Sequence, residues 1–257
     1  MKYLIAILML CLSTLSSASN LTLVDAFRMP TQNPEQFIDM QIEYTSYVNG
    51  VEKSASTSLY QIYLNPDNTA FVRYLNTHNK NKGARVLMKD AGIWFSSKNS
   101  SRAIRITPLQ KATGDVSYGD IAKIRWGDDY QIEQEVPDVT LNSRLFQSLA
   151  GEPQGSFIKL ALKSTNKTTS YKKIDLYTKQ NYQPVYAQLY LASGKLFKVM
   201  WFADPQKDDQ GRKFIQRIVF ADVLKTGQHT QAVIKQVEFK DNIPARYFNQ
   251  SSFMRGQ

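Results

Sequence analysis

Apolar and polar positions alternate from residue 37 to 47. Ile38, Met40, Ile42 and Tyr44 fall on one side, and Asp39, Gln41, Glu43 and Thr45 on the other. A period of two is that of a half-buried β-strand. Asn49-Gly50 follows, the strongest short signal for a two-residue hairpin turn. Residues 56–64 resume the alternation, with Tyr60, Ile62 and Leu64 on one face. Pro66-Asp67-Asn68 turns the chain again, and 69–75 reads as a third strand. Residues 85–89, 92–96 and 102–107 read as three more, separated by turn residues. The pattern returns near Trp126 and then at 156–163, 171–178, 184–191, 196–202, 215–223 and 232–239, with Ser193-Gly194 as a tight turn.

Three short stretches carry a helical period instead. Asn20 can cap a helix over 21–29 that Pro30 ends. Ser117-Tyr118-Gly119-Asp120 has the form of a capping box, and Tyr118, Ile121 and Ala122 make one apolar face of a helix over 117–124. Leu141, Leu145, Phe146 and Leu149 make the apolar face of another over 141–150, stopped by Gly151. The tail, 243–253, reads as irregular and aromatic. About a dozen strands at spacings of about ten residues predict a mainly β protein, an antiparallel barrel or sandwich. No linker rich in Gly, Ser or Pro divides 20–257, so a single domain is expected there.

The first 19 residues change the picture of where the protein works. Lys2, the apolar run 4–12 and the small residues Ser16-Ser17-Ala18 form a secretory signal, cleaved before Ser19 or Asn20. That run is too short to span a bilayer. Cys11 lies within it, but Leu10 stands where a lipobox wants a small residue, which argues against lipid anchoring through Cys11. With Cys11 removed, the mature chain has no thiol, no disulfide and no thiolate nucleophile. The formal charge of +10 favours anionic partners such as membrane surfaces or acidic proteins. No arginine-rich run or RNA-binding signature points to nucleic acid.

Candidate chemistry is sparse. His78 and His229 lie far apart beside polar loop residues, as solvated histidines do, and predict no metal site. Ser117 lacks the spacing of a nucleophile elbow and is better read as a helix cap. The acid pairs Asp128-Asp129 and Asp208-Asp209 fit turns better than a glycosidase pair. No phosphate loop or dinucleotide fingerprint is present. The chain reads as a protein without catalytic residues or cofactor.

The 14 Tyr, 13 Phe and 3 Trp are more informative. Aromatics on strands fill ordinary β cores. A sheet curled around short amphipathic helices can instead leave a cavity lined by them. Alternation nominates Met40, Ile42, Tyr44, Tyr60, Ile62, Val72, Tyr74, Val86, Met88, Trp94, Ile104 and Ile106 as cavity residues. A register error of one residue would invert any of these sets.

Several segments together resemble the LolA-like outer-membrane lipoprotein-sorting family. They are Arg85-Val86-Leu87-Met88-Lys89, Gly92-Ile93-Trp94-Phe95, Arg102-Ala103-Ile104-Arg105-Ile106 and Gly114-Asp115-Val116-Ser117-Tyr118-Gly119-Asp120. Tyr171-Lys172-Lys173-Ile174-Asp175-Leu176, Pro184, Tyr190, Gly194-Lys195-Leu196-Phe197-Lys198, Asn242-Ile243-Pro244 and Phe248 continue the likeness. The resemblance implies an incomplete, strongly curved antiparallel β-barrel with a helical lid over an apolar cavity. Its lid helices would carry Tyr118, Ile121, Ala122, Leu141, Leu145 and Phe146. The segment 136–155 would be an insertion relative to the family. The resemblance further implies a monomeric periplasmic carrier of acyl chains, lipid or lipoprotein cargo. An inner-membrane transporter, an outer-membrane acceptor and transient contact with a membrane surface would be its partners. A regulatory, lipid-sensing protein of the same fold is the alternative it leaves open. Arg73, Arg85, Arg105 and Arg125 are all candidates for the carriers' lid-closing arginine.

Overall fold

The structure, a computed structural model, describes residues 23–24, 36–64, 69–77, 83–89, 92–100, 102–122, 126–141, 155–167, 169–208, 211, 213–240 and 248–254. The six strands of the first half are β1 (Gln36–Val48), β2 (Val51–Leu64), β3 (Ala70–Thr77), β4 (Arg85–Lys89), β5 (Gly92–Ser96) and β6 (Ile104–Ile106). A small hairpin follows, β7 (Lys111–Thr113) and β8 (Val116–Ser117), then helices α1 (Tyr118–Ala122) and α2 (Trp126–Asp129). The second half is β9 (Tyr130–Val139), β10 (Phe157–Ser164), β11 (Lys173–Thr178), β12 (Pro184–Tyr190), β13 (Leu196–Lys207), β14 (Lys213–Asp222) and β15 (Gln228–Lys240). Helix α3 (Gln250–Met254) closes the described chain.

Thirteen of these strands form one antiparallel sheet in the order β6-β5-β4-β3-β2-β1-β15-β14-β13-β12-β11-β10-β9. The first half winds outward from the centre to one edge. The second half starts at the far edge and winds back, so β1 pairs with β15 over Phe37↔Lys240 to Val48↔Gln228. The edges β6 and β9 do not pair with each other, and the sheet is an incomplete, curved barrel. The chain between them, from 107 to 129, must cross from one edge to the other.

Turn chemistry sets the register. Asn49 and Gly50 have φ of +51° and +76° and join Val48 directly to Val51, the geometry of a type I′ hairpin. Gly194, at φ +78°, closes the turn after β12, where Leu191 N–H donates to Lys195 O at 3.0 Å. Pro137 is tolerated in β9 because that strand is the edge of the described sheet, where a missing N–H breaks no ladder among the described strands on the outer side.

Alternation sorts the side chains onto two faces. Met40, Ile62, Val86, Leu160, Leu176, Met200 and Phe220 belong to one large inner cluster, with Val24 fully buried in it. On the outer face, Leu141, Phe157, Val185, Tyr186, Val199 and Ala221 form a second cluster. Tyr63, Phe71, Leu87, Ala103 and Phe253 form a third, against which Trp94 packs.

The structure departs from the sequence reading at several points. The strand expected from Trp126 begins at Tyr130 instead, because Trp126–Asp129 forms a helical turn with Trp126 packed edge-on to Phe202 at 6.2 Å. The hairpin of β7 and β8 was not expected, since strands of three and two residues carry no readable period. The tail read as irregular contains α3, whose Phe253 anchors it on Phe71 at 6.0 Å. His229 is half-buried and stacked on its strand neighbour Tyr47 at 4.8 Å, not fully solvated. The predicted signal, His78 and most of the helices expected over 21–29 and 141–150 lie outside the described residues.

Leu176 is fully buried in the inner cluster. Leu176→Ala is expected to lower stability by about 2–5 kcal/mol, read as an earlier urea midpoint with an unchanged slope.

Candidate functional site

The inner face of the first half holds an apolar recess. Met40, Ile42 and Tyr44 of β1, Tyr60, Ile62 and Leu64 of β2, Ala70, Val72 and Tyr74 of β3, and Val86 and Met88 of β4 line it, with Tyr118 of α1 as its cover. Cross-strand pairing brings them together: Met40↔Tyr60, Ile62↔Val72, Val72↔Val86 and Ala70↔Met88 each face the same way. A second recess adjoins it, lined by Ile42, Tyr44, Val116, Gln216, Ile218, Phe220, Ala232 and Ile234. Ile42 and Tyr44 belong to both. Counted out to their open mouths, the two measure about 480 Å³ and 260 Å³. The void inside the first that a water-sized body could occupy is only about 30 Å³, room for roughly two waters. The interior is thus nearly filled by its own side chains.

Nine of the twelve nominated residues line the first recess: Met40, Ile42, Tyr44, Tyr60, Ile62, Val72, Tyr74, Val86 and Met88. Ile106 is buried in the same inner cluster without lining the recess. Trp94 is a correction. It pairs with Leu87, so the pleat turns it outward under Arg105, whose guanidinium lies 6.0 Å from its ring. Ile104 is a second correction. It faces inward opposite Phe95, but β6 is an edge among the described strands, and Ile104 is 60% exposed. Leu141, expected on a lid, packs in the outer cluster instead, because β9 delivers the chain to that face. Leu145 and Phe146, and the side chains of Ile121 and Ala122, lie outside the described residues. Of the four arginine candidates, Arg73 is exposed, Arg85 lies over Phe253 at 5.7 Å and Arg105 over Trp94. All three face outward, and Arg125 lies outside the described residues.

The cover, residues 108–122, is docked by polar contacts. Ser117 N–H donates to Asp120 Oδ2 at 2.7 Å, the backbone half of the expected capping box. Asp120 does more than cap. Its carboxylate accepts from Tyr171 Oη at 2.7 Å and forms an ion pair with Lys198 Nζ. Lys198 is fully buried and Asp120 is 1% exposed. The same ammonium donates to Asp115 O at 2.7 Å. Asp115 N–H donates to Thr230 Oγ1 at 2.9 Å, and Lys225 meets the Asp115 carboxylate at 3.2 Å. Lys111 bridges to Asp222 at 3.4 Å. Gly114, at φ +49°, lies so close to the sheet that a Cβ there would be 2.2 Å from Thr230 Oγ1. Burial pulls the Lys198 ammonium pKa down, and the Asp120 charge opposes that pull.

Sequence reasoning missed Lys198. Its signal was available: a period of two places Lys198 on the face of Met200 and Phe202, where a lysine requires an acid.

Four tyrosines cluster in the first recess. Tyr60 Oη donates to Tyr44 Oη at 3.3 Å, and the Tyr60 and Tyr74 rings meet edge-on at 4.9 Å. Tyr118 closes the group beside Tyr74. Burial raises the pKa of all four above the usual phenol value. Among the described residues no group of three or more His, Cys, Asp or Glu is placed to hold a metal. No helix among them is long and apolar enough to cross a membrane.

Comparison with known proteins places this architecture. Solved structures that share it include a LolA superfamily protein from Nitrosomonas europaea, 22% identical with a TM-score of 0.69 over 91% of this chain and 98% of that one. An outer membrane lipoprotein-sorting protein domain from Vibrio parahaemolyticus is 14% identical with a TM-score of 0.67, covering 94% of this chain and 99% of that one. A DUF1329 family protein from Desulfovibrio piger is 14% identical with a TM-score of 0.65, covering 93% and 98%. The fold is therefore LolA-like. Residues 66–255 match the model of a family described as "Uncharacterized protein", and the chain belongs to that family. No curated protein matches it in sequence.

Two outcomes follow. Lys198→Met alone strands the Asp120 carboxylate in the interior and is expected to cost about 3–5 kcal/mol. Paired with Asp120→Asn, it should cost less than the sum of the two single changes, by about 0.5–3 kcal/mol in a urea double-mutant cycle. The buried tyrosines set an alkaline limit. Their folded pKa values lie above the unfolded value of 10.0, so the stability they contribute is whole below pH 10 and is lost as pH rises further. Absorbance at 295 nm should show these phenols ionising only together with unfolding.

Proposed function

We propose that the protein is a periplasmic carrier that shields acyl chains of lipoproteins or other lipids between the inner and outer membranes. The observation that carries this reading is the apolar recess on the inner face of an unclosed barrel, roofed by a segment docked through charges. An acyl chain left in water costs about 0.8 kcal/mol per CH₂, so a carrier must wrap it. The recess is nearly closed without a guest, and loading requires the 108–122 cover to move. Polar anchors suit such a cover, because water can solvate them once they part. The likeness to the Vibrio lipoprotein-sorting domain supports the same role.

In this reading residues 1–19 are a cleaved export signal and 20–257 one domain that works as a monomer. It uses no cofactor, binds no nucleic acid and carries out no catalysis. The excess of basic residues, 32 Lys and Arg against 22 Asp and Glu, favours brief contact with anionic lipid surfaces or acidic faces of membrane partners.

Protein purified from the cell envelope without detergent should yield acyl material by mass spectrometry of a denatured extract. It should also take up a fluorescent phospholipid at about one per chain. An extract free of acyl chains together with no uptake would reject the carrier role.

A further inference from the structure

We propose that the rim formed by the turns at 49–53, 165–170, 191–195 and 223–227 docks the protein on an anionic bilayer surface. The proposal rests on the carrier reading only for the bilayer to be met, and it names the face that meets it.

Backbone bonds set these turns side by side. Asn49 N–H donates to Gly227 O at 2.7 Å, and Val223 N–H to Phe197 O at 3.1 Å. Leu191 N–H donates to Lys195 O, and Lys172 N–H to Tyr190 O, both at 3.0 Å. The contact of Asn49 with Gly227 brings two apolar tips onto one rim. Val51 is 57% exposed and Leu224 62%, and with Ile104 they are the large apolar side chains more than half exposed among the described residues. A single exposed leucine is ordinary. Two such side chains on touching turns present apolar surface to water at a cost that an apolar medium relieves.

The charges around them have one sign. Lys53, Lys167, Lys195 and Lys225 are exposed on the same four turns. Lys225 meets the Asp115 carboxylate at 3.2 Å, yet 45% of its side chain stays exposed. Glu52 is the one acid in the sequence of these turns. The opposite rim mixes the signs, with Asp138, Asp208 and Glu238 among Lys179, Lys207 and Lys213. The field therefore turns the first rim toward anions. A lipid surface suits this rim better than an acidic protein does. Ammoniums on long stems can stay at the phosphates while Val51 and Leu224 sink beneath them. A protein face would need a socket for each tip. Each lysine near an anionic membrane strengthens binding about fivefold, so four give a reversible contact of useful strength.

The test is flotation of protein purified from the cell envelope with vesicles of phosphatidylcholine, alone or with phosphatidylglycerol as a large minority lipid. The anionic vesicles should bind at least about tenfold tighter than the neutral ones, and about 0.5 M salt should remove most of that difference. Lys53→Glu with Lys195→Glu should weaken binding by about tenfold or more. Lys179→Glu with Lys207→Glu makes the same charge change on the opposite rim and should leave binding within about threefold. Leu224→Trp should emit further to the blue on anionic vesicles and be quenched by lipids brominated near the headgroup. Equal binding to both vesicles, equal loss from the two charge reversals, or a tryptophan at 224 that stays in water would overturn docking through this rim. Binding to neither vesicle would reject a lipid surface as the partner. None of these results bears on acyl material in the extract or on phospholipid uptake, which decide the carrier reading separately.

Discussion

A lysine and an aspartate sealed from water hold the inner side of this molecule in order. Lys198 and Asp120 come from segments 78 residues apart, and neither side chain is exposed. Removing two charges from water costs several kcal/mol per ion. The surroundings return that cost through directed bonds: Tyr171 and the Ser117 amide on the carboxylate, and the Asp115 carbonyl on the ammonium. An apolar pair of the same size could be as stable. What charge adds is position, since a shift of one residue in the cover would leave both ions unpaired.

The need for that positioning follows from the topology. One half of the chain ends at edge β6 and the other begins at edge β9, with the rest of the sheet between them. The link from 107 to 129 has to cross the open side of the curved sheet. It does so as a small hairpin and two helical turns. Val116, Tyr118 and Trp126 supply apolar contacts, with Leu109 and Ala112 packed beside them, and Asp115 and Asp120 the directed ones. The cover over the recess is therefore the connection the fold cannot do without, and its contacts with the sheet decide how open the recess is.

The strands and most of the recess were legible in the sequence because half-buried strands write their faces in a period of two. Met40, Ile42 and Tyr44 were readable from thirteen continuous residues of β1. Trp94 was not, because a strand of five residues fixes no face until its partners are known, and the exposure of Ile104 was not, because nothing local marks β6 as an edge. Leu87 opposite Trp94 decides the first, and the end of the described sheet at β6 decides the second. The capping box at Ser117 was legible as local chemistry. The longer reach of Asp120 to Lys198 was not, since a contact across 78 residues leaves no local pattern. The outer position of Leu141 was hidden for the same reason: amphipathicity shows that a residue has an apolar partner but not which layer provides it.

The first strand and the last lie side by side at the centre of the sheet. The first recess is built on β1 to β4, and the second spans β1, β14 and β15. The seam between the oldest and youngest parts of the chain thus runs between the two recesses. Hairpins such as β1–β2 can form early from near neighbours, but the joining of β1 to β15 waits for about 200 residues of chain, a separation that slows folding. A chain that stops short of Gln228 can assemble hairpins on either side, yet the second recess has no floor until the final strand joins β1.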